Sequence, residues 1–261
     1  MGERKSLNRG PHFEYERLDP EAADAGNVSF SLSRYRFARP YAVGKTILDA
    51  GCGTGYGSHL LAQAARCVVG VDYDAEVIRR APGKYPSANL VWAASDVTAL
   101  PFGAASFDLV VSFEVVEHLP NHDAHQRFFN EILRVLASDG IFIISTSNRD
   151  VTVPHQRSVG IVVDAHLTEM DTATFRQELN RTFAVDFFGG MRYQGNVGYR
   201  FLRGLDTHNL RLRVPPLVRE FVARKFFGVN RTLRSADNVV IARNQLRQAD
   251  HLLAVCRRKA S

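Results

Sequence analysis

Five short apolar runs, separated by helical patterns and tight turns, constrain the fold of this chain more than any other feature. They cover residues 45–50, 67–71, 89–94, 107–113 and 141–146. Each is continuous rather than alternating, as strands buried on both faces of a parallel sheet read. Helical spacing fills the gaps. It covers 54–65, then a stretch capped by Asp74 that runs to about Ala81 before Pro82 and Gly83, then 122–136. In the last of these Phe128, Phe129, Ile132, Leu133, Val135 and Leu136 form the apolar side, and Asp139-Gly140 closes it. Such alternation predicts an open, doubly wound α/β domain. Beyond the fifth run the pattern predicts a loop, a helix over 171–179, a strand over 183–188 and a last strand over 250–256. That makes seven strands, mostly parallel.

At 261 residues the chain fits one large domain, or one domain with a sizeable insertion. We divide it into a polar lead-in and a helix ended by Pro40 (1–42), a core (43–189), an insertion (190–249), and the last core strand with its tail (250–261). The insertion is far longer than a hairpin loop. It holds an amphipathic stretch, 215–227, read as part of a lid. Apolar residues are 45% and charged residues 23%, which excludes a collagen-like or fully disordered chain. No apolar run approaches the roughly 20 residues of a membrane span. Cys52, Cys67 and Cys256 form no C-x-x-C pair, so neither a disulfide framework nor a structural metal site is expected, and a reducing cytoplasm is.

Charge is uneven. The formal net charge is +6, yet residues 193–261 carry 14 Lys+Arg against 4 Asp+Glu, while residues 1–192 carry 19 against 23. A basic final third suits an anionic partner or a solvated face.

The chemistry is concentrated in Asp49-Ala-Gly51-Cys-Gly53-Thr-Gly55-Tyr-Gly57, where the first strand turns into the first helix. Glycines there let backbone turn tightly and approach a ligand closely. The spacing is not G-x-G-x-x-G, because the third position falls on Tyr56 or Ser58, and it is not G-x-x-x-x-G-K-[ST]. Asp72 follows Gly53 by 19 residues at the end of the second strand, where an acid can accept hydrogen bonds from ribose hydroxyls. Asp96, with Val97, leaves the third strand where it can meet an adenine amino group.

In these segments the chain resembles class I S-adenosylmethionine-dependent methyltransferases. The resemblance lies in ILDAGCGTGYG (47–57), GVDYD (70–74), SDVTALPF (95–102) and FDLVVSFEVVEHLP (107–120), and covers about 45–146. It is to the small-molecule branch called type 11 or UbiG/UbiE-like. STSNRD (145–150) and AHLTEMDTATFRQEL (165–179) are similar to bacterial members that modify sugars, glycolipids and specialised metabolites. The resemblance implies a Rossmann-like fold and S-adenosylmethionine as cofactor. Gly51, Gly53 and Gly55 would take its methionine moiety by backbone contact, with Asp49 ordering the loop. Asp72 would hold the ribose, Asp96 and Val97 the adenine, and Glu114, leaving the fourth strand, would complete the cofactor set.

Methyl transfer from a sulfonium is an in-line displacement, so alignment and removal of a proton are the tasks left to the protein. His118, just past the fourth strand, and His166, past the fifth with Glu169 as a neighbour that could orient it, are the expected bases; His155 is a third histidine in that region. His122, Asp123 and His125 read as the polar first turn of a helix, not a metal site. The expected acceptor is a small molecule, sugar or glycolipid, most simply at a hydroxyl, with an amine as the alternative. An RNA acceptor fits the basic tail, but the chain has no Pro-Cys dipeptide and its fourth strand exits as Ser-Phe-Glu. Residues 215–227, with Arg219, Arg224 and Lys225, also fit peripheral membrane contact.

Overall fold

The computed structural model describes residues 25–159, 167–193, 218, 239–243, 246 and 249–259. Most of the 190–249 insertion, including the 215–227 stretch apart from Val218, lies outside the described residues, as do His166 and the first 24 residues.

The chain enters through helix α1 (Ala25–Ala38) and a 3-10 turn (Arg39–Ala42) that contains Pro40. It continues as β1 (Thr46–Ala50), α2 (Tyr56–Ala62), β2 (Cys67–Asp72), α3 (Ala75–Lys84), β3 (Leu90–Ala94) and β4 (Phe107–Phe113). A 3-10 turn (Val116–His118), α4 (His122–Val135), β5 (Leu136–Ser147), α5 (Arg149–Val159), α6 (Thr172–Thr182), β6 (Phe183–Tyr193), β7 (Val239–Ala242) and β8 (His251–Arg258) follow. The strands form one sheet in the order β3-β2-β1-β4-β5-β8-β6-β7. The five strands from β3 to β5 are parallel; β8 is antiparallel to both β5 and β6, and β6 to β7.

The continuous apolar runs are explained by the two cores they serve. Leu48, Val110, Phe142 and Ile144 face Phe128, Phe129 and Ile132 of α4 and Phe175 and Leu179 of α6. Their chain neighbours Ile47, Leu109, Val111 and Ile143 face Phe30, Tyr35 and Ala38 of α1 and Leu61 and Ala62 of α2. Both faces are thus apolar and a strand needs no alternation.

Several elements differ from the sequence reading. The sheet has eight strands rather than seven, because Val239–Ala242, inside the expected insertion, pairs with Gly190–Tyr193 at the sheet edge. The strand expected over 183–188 runs on to Tyr193, past the expected end of the core. Helix α3 passes through Pro82 to Lys84, its end held by Tyr85 N–H donating to the Ala81 carbonyl at 2.8 Å. The loop expected after β5 opens with α5, although Pro154 lies inside it. Asn148 starts this helix: its Oδ1 accepts from Asp150 N–H and its carbonyl from the Val151 and Thr152 N–H groups. The expected caps are present at Asp74, which accepts from Glu76 and Val77 N–H, and at Asp171, which accepts from Thr174 N–H. Among the described residues no helix is long and apolar enough to cross a membrane. All three cysteines are free thiols.

Parallel strands put their carboxyl ends on one edge. At that edge the order reverses between β1 and β4, which opens the crevice where doubly wound sheets bind ligands. Helix α1 is packed beside it through Tyr35, whose ring lies where a β-carbon on Gly57 would be, at 1.9 Å. Alanine normally stabilises a helix interior by ~1 kcal/mol over glycine. Here Gly57→Ala should instead destabilise by ~1–3 kcal/mol, because it overpacks the α1–α2 contact. Urea unfolding checks this, and in a Tyr35→Ala background the same substitution should lose most of its penalty.

Candidate active site

The β1–α2 loop is built on left-handed backbone. Gly51, Gly53 and Gly55 have φ of +87°, +54° and +92°. A β-carbon on Gly51 would strike Val115 at 2.3 Å and one on Gly55 would strike Trp92 at 2.3 Å, whereas one on Gly53 would meet nothing within 4 Å. Gly51 and Gly55 are therefore fixed by packing, and Gly53 borders open space.

The loop spends its own donors. Gly51 N–H donates to the Val71 carbonyl (2.7 Å), Gly55 N–H to the Cys52 carbonyl (3.1 Å) and Gly53 N–H to Asp72 Oδ2 (3.0 Å). An anion-binding loop presents N–H groups to its ligand; at these three glycines none is left over. Space remains for a ligand at Gly53, beside two buried acids.

Asp49 and Asp72 are those acids. Asp49, fully buried at the end of β1, accepts from Ser58 Oγ (2.6 Å) on α2 and Tyr35 Oη (3.2 Å) on α1. Burial lifts its pKa to about 7; the two hydrogen bonds oppose that rise and Asp72 adds to it. Asp49 therefore orders more than the loop, since it joins α1 and α2 to β1. Asp72 closes the loop through Gly53 and accepts from Asp74 N–H at 3.1 Å. Asp96 is exposed, its Oδ1 accepting from the Thr98 backbone (2.7 Å) and hydroxyl (2.8 Å), and Val97 is buried in the core beneath it.

Glu114, the first residue after β4, has φ of +56°, a left-handed conformation that an L side chain adopts only under constraint. Its Oε1 accepts from Ser145 Oγ (2.7 Å) and lies 3.7 Å from Arg34 Nε of α1; its Oε2 meets His251 Nδ1 of β8 at 2.5 Å. Burial pushes this carboxyl up, but Arg34, His251 and Ser145 outweigh burial and hold it well below the usual carboxylate range. Glu114 thus uses its carboxylate on protein partners. Arg34 Nε is buried and has no hydrogen-bond partner among the described residues.

The expected histidines separate. His118 ends the 3-10 turn after β4, its N–H donating to the Val115 carbonyl at 3.0 Å, which places it at the crevice edge of the sheet. His166 and its pairing with Glu169 lie outside the described residues; the Glu169 carboxylate itself accepts from Thr152 Oγ1 (2.6 Å) and Ser147 Oγ (3.3 Å). His155 lies in α5. His122 and His125 serve structure. His125 Nε2 pairs with Thr168 Oγ1 at 2.8 Å, and His122 Nδ1 lies 3.5 Å from Glu178 of α6.

Four residues that sequence reasoning passed over stand at this edge: Phe30, Arg34 and Tyr35 of α1, and His251. Only the α1 residues carried a sequence signal, in lying on the helix expected before Pro40. His251 begins an antiparallel strand and carried none.

Comparison with known proteins agrees with this geometry. Residues 48–144 match the family model described as a methyltransferase domain. A "probable S-adenosylmethionine-dependent methyltransferase" of Mycolicibacterium smegmatis is 37% identical over 145 residues, 52% of this chain and 53% of that protein. The 2-methyl-6-phytyl-1,4-hydroquinone methyltransferase of Synechocystis is 34% identical over 108 residues, 41% of this chain and 33% of that one. The chain spans about half the length of the first curated relatives it matches. The structure of the N-methyltransferase NodS from Bradyrhizobium japonicum in complex with S-adenosyl-L-homocysteine superposes with a TM-score of 0.58 at 16% identity, covering 94% of this chain and 93% of that one, a likeness of fold. Residues 48–144 thus match a methyltransferase domain, within a chain that is similar in sequence to S-adenosylmethionine-dependent methyltransferases and shares their fold.

Proposed function

We propose that the chain transfers a methyl group from S-adenosylmethionine to a small-molecule, sugar or glycolipid acceptor at a hydroxyl. One observation carries the donor side: the loop at the β1/β4 crevice has spent its three glycine N–H groups and is flanked by the buried acids Asp49 and Asp72. That environment favours a cation bearing hydrogen-bond donors and disfavours a phosphate. When bound, S-adenosylmethionine supplies an electrophilic methyl carbon on a cationic sulfur.

The residues present fit that group. Loop carbonyls and the space at Gly53 would receive its amino-acid end, whose ammonium needs acceptors. Arg34 Nε, a buried donor 3.7 Å from Glu114 Oε1 and with no hydrogen bond among the described residues, would share its charge between Glu114 and the carboxylate of that end. Asp72 would take the ribose, and Asp96 with Val97 the adenine. The acceptor side rests on less. The hydroquinone methyltransferase relative acts, by its name, on a small phenolic molecule, which supports a hydroxyl-bearing substrate. Transfer to an amine is the alternative.

The first experiment is transfer of labelled methyl from S-adenosylmethionine into an extract of the source cell, separated into RNA, protein, lipid and small solutes. Label in lipid or small solutes is the expected result; label in RNA or protein overturns the acceptor class. Asp72→Ala should weaken S-adenosylhomocysteine binding more than tenfold by calorimetry, and unchanged affinity would refute the ribose site.

Asp49 gives a second check. Its folded-state pKa, about 7, lies above the ordinary carboxylate value, so between about pH 4 and 7 the folded chain binds more protons than the unfolded one. Stability from this group is therefore full at low pH and declines as pH rises through that window, by up to ~4 kcal/mol at 1.36 kcal/mol per pKa unit. An Asp49→Asn variant should lack this decline. The wild-type minus variant difference in unfolding free energy, measured from pH 4 to 8 without ligand, reads the effect directly, and a flat difference would refute it. A bound cation favours the ionised carboxylate, so S-adenosylmethionine should flatten the wild-type curve.

A further inference from the structure

We propose that His251, held by Glu114, is the general base that takes the acceptor's proton. The inference rests on the methyltransferase reading above and adds to it the residue that moves the proton.

The topology places His251 where a base is needed. Strand β8 runs antiparallel to β5, so its first residue, not its last, lies at the carboxyl edge of the sheet. In register His251 stands opposite Ser147, the last residue of β5, and Met191 of β6. Glu114 leaves β4 at the same edge, one strand past the switch between β1 and β4. The side chain of His251 is one-quarter exposed.

The geometry also fixes the ring. Glu114 is ionised, since its carboxyl is held low, and an ionised carboxylate can only accept. The 2.5 Å contact therefore places hydrogen on Nδ1 and leaves the lone pair of the neutral ring on Nε2. No described residue pairs with Nε2. The Phe30 ring lies against the imidazole, centroids 4.8 Å apart. Arg34 and Ser145 hold the other carboxylate oxygen, so Glu114 is itself oriented from α1 and β5. A carboxylate that orients a histidine, itself oriented by further groups, is the arrangement by which imidazoles act as bases. The left-handed φ of Glu114 is strain of the kind that persists at functional sites.

On this assignment the acceptor oxygen forms its new bond to the methyl carbon as the carbon–sulfur bond breaks, the electron pair leaving with sulfur. The acceptor proton passes to His251 Nε2. Glu114 balances the imidazolium until the proton goes to water.

The test uses the full chain with ring-nitrogen labelled histidine. In the neutral ring, 15N shifts should show hydrogen on Nδ1 in the wild type, and Glu114→Gln should shift the population toward the other tautomer; hydrogen on Nε2 in the wild type overturns the proposal. In the labelled-extract assay His251→Gln should lower the rate of methyl transfer about 10²-fold, the lower end for loss of a general base. Calorimetry with S-adenosylhomocysteine should give wild-type affinity for the same variant, which separates lost chemistry from lost folding. Equal transfer by wild type and His251→Gln overturns the base alone. No transfer by ligand-binding wild type overturns the methyltransferase reading, and the base with it.

Discussion

A carboxylate buried with no cation among the described residues is the constraint around which this site is arranged. Asp49 sits at the end of β1 with no exposure, and its hydrogen-bond partners, Ser58 and Tyr35, are neutral. Burying a charge is costly unless it is paired, and the raised pKa of Asp49 is the mark of that cost. Much local structure follows from satisfying it. Tyr35 must reach Asp49, so α1 lies close over α2; Gly57 must lack a side chain, because the Tyr35 ring takes its place. Ser58 reaches the same carboxylate from the start of α2, which fixes the helix that the glycine loop feeds. On the proposed function, a buried acid with no cation among the described residues is suited to a cationic ligand.

Glu114 does the complementary work at the other side of the crevice. Where Asp49 has no oppositely charged partner among the described residues, Glu114 has Arg34 and His251 and is held ionised. One carboxylate contacts α1, β5 and β8 from its place after β4. It can do so only because the backbone turns left-handed there and aims the side chain back over the sheet. The three acids thus divide the crevice. Asp49 and Asp72 lie with the glycine loop, and Glu114 lies with the histidine.

The fold was legible wherever it is written locally. Continuous apolar runs marked strands β1 to β5, and Asp74 and Asp171 marked helix starts by side-chain capping. The glycine loop and Asp72 were legible because a tight turn and a strand-end acid leave fixed spacing. What was missed depends on pairing across the sheet. Strand β7 is four residues at an edge, too short to show a period. Helix α5 was hidden by Pro154. His251 was hidden by direction: inspecting the carboxyl ends of strands finds Asp49, Asp72 and Glu114, but in an antiparallel strand the residue at that edge is the first one. His251 meets Glu114 across 137 residues of chain, and only the register of β8 on β5 brings them together.

Division of the crevice also suits the charge balance of the proposed reaction. Transfer of a methyl group from sulfonium to a hydroxyl removes a cation from the donor side and releases a proton on the acceptor side. Acids beside the glycine loop favour the donor over its neutral-sulfur product by the interaction that is lost as the methyl leaves. The released proton has a separate destination in the histidine, whose partner is already ionised. A single acid serving both ends would be drawn to the donor's charge and to the imidazolium at once. Two acids on opposite sides of the β1/β4 switch, one with no cation beside it among the described residues and one kept charged by Arg34, avoid that conflict.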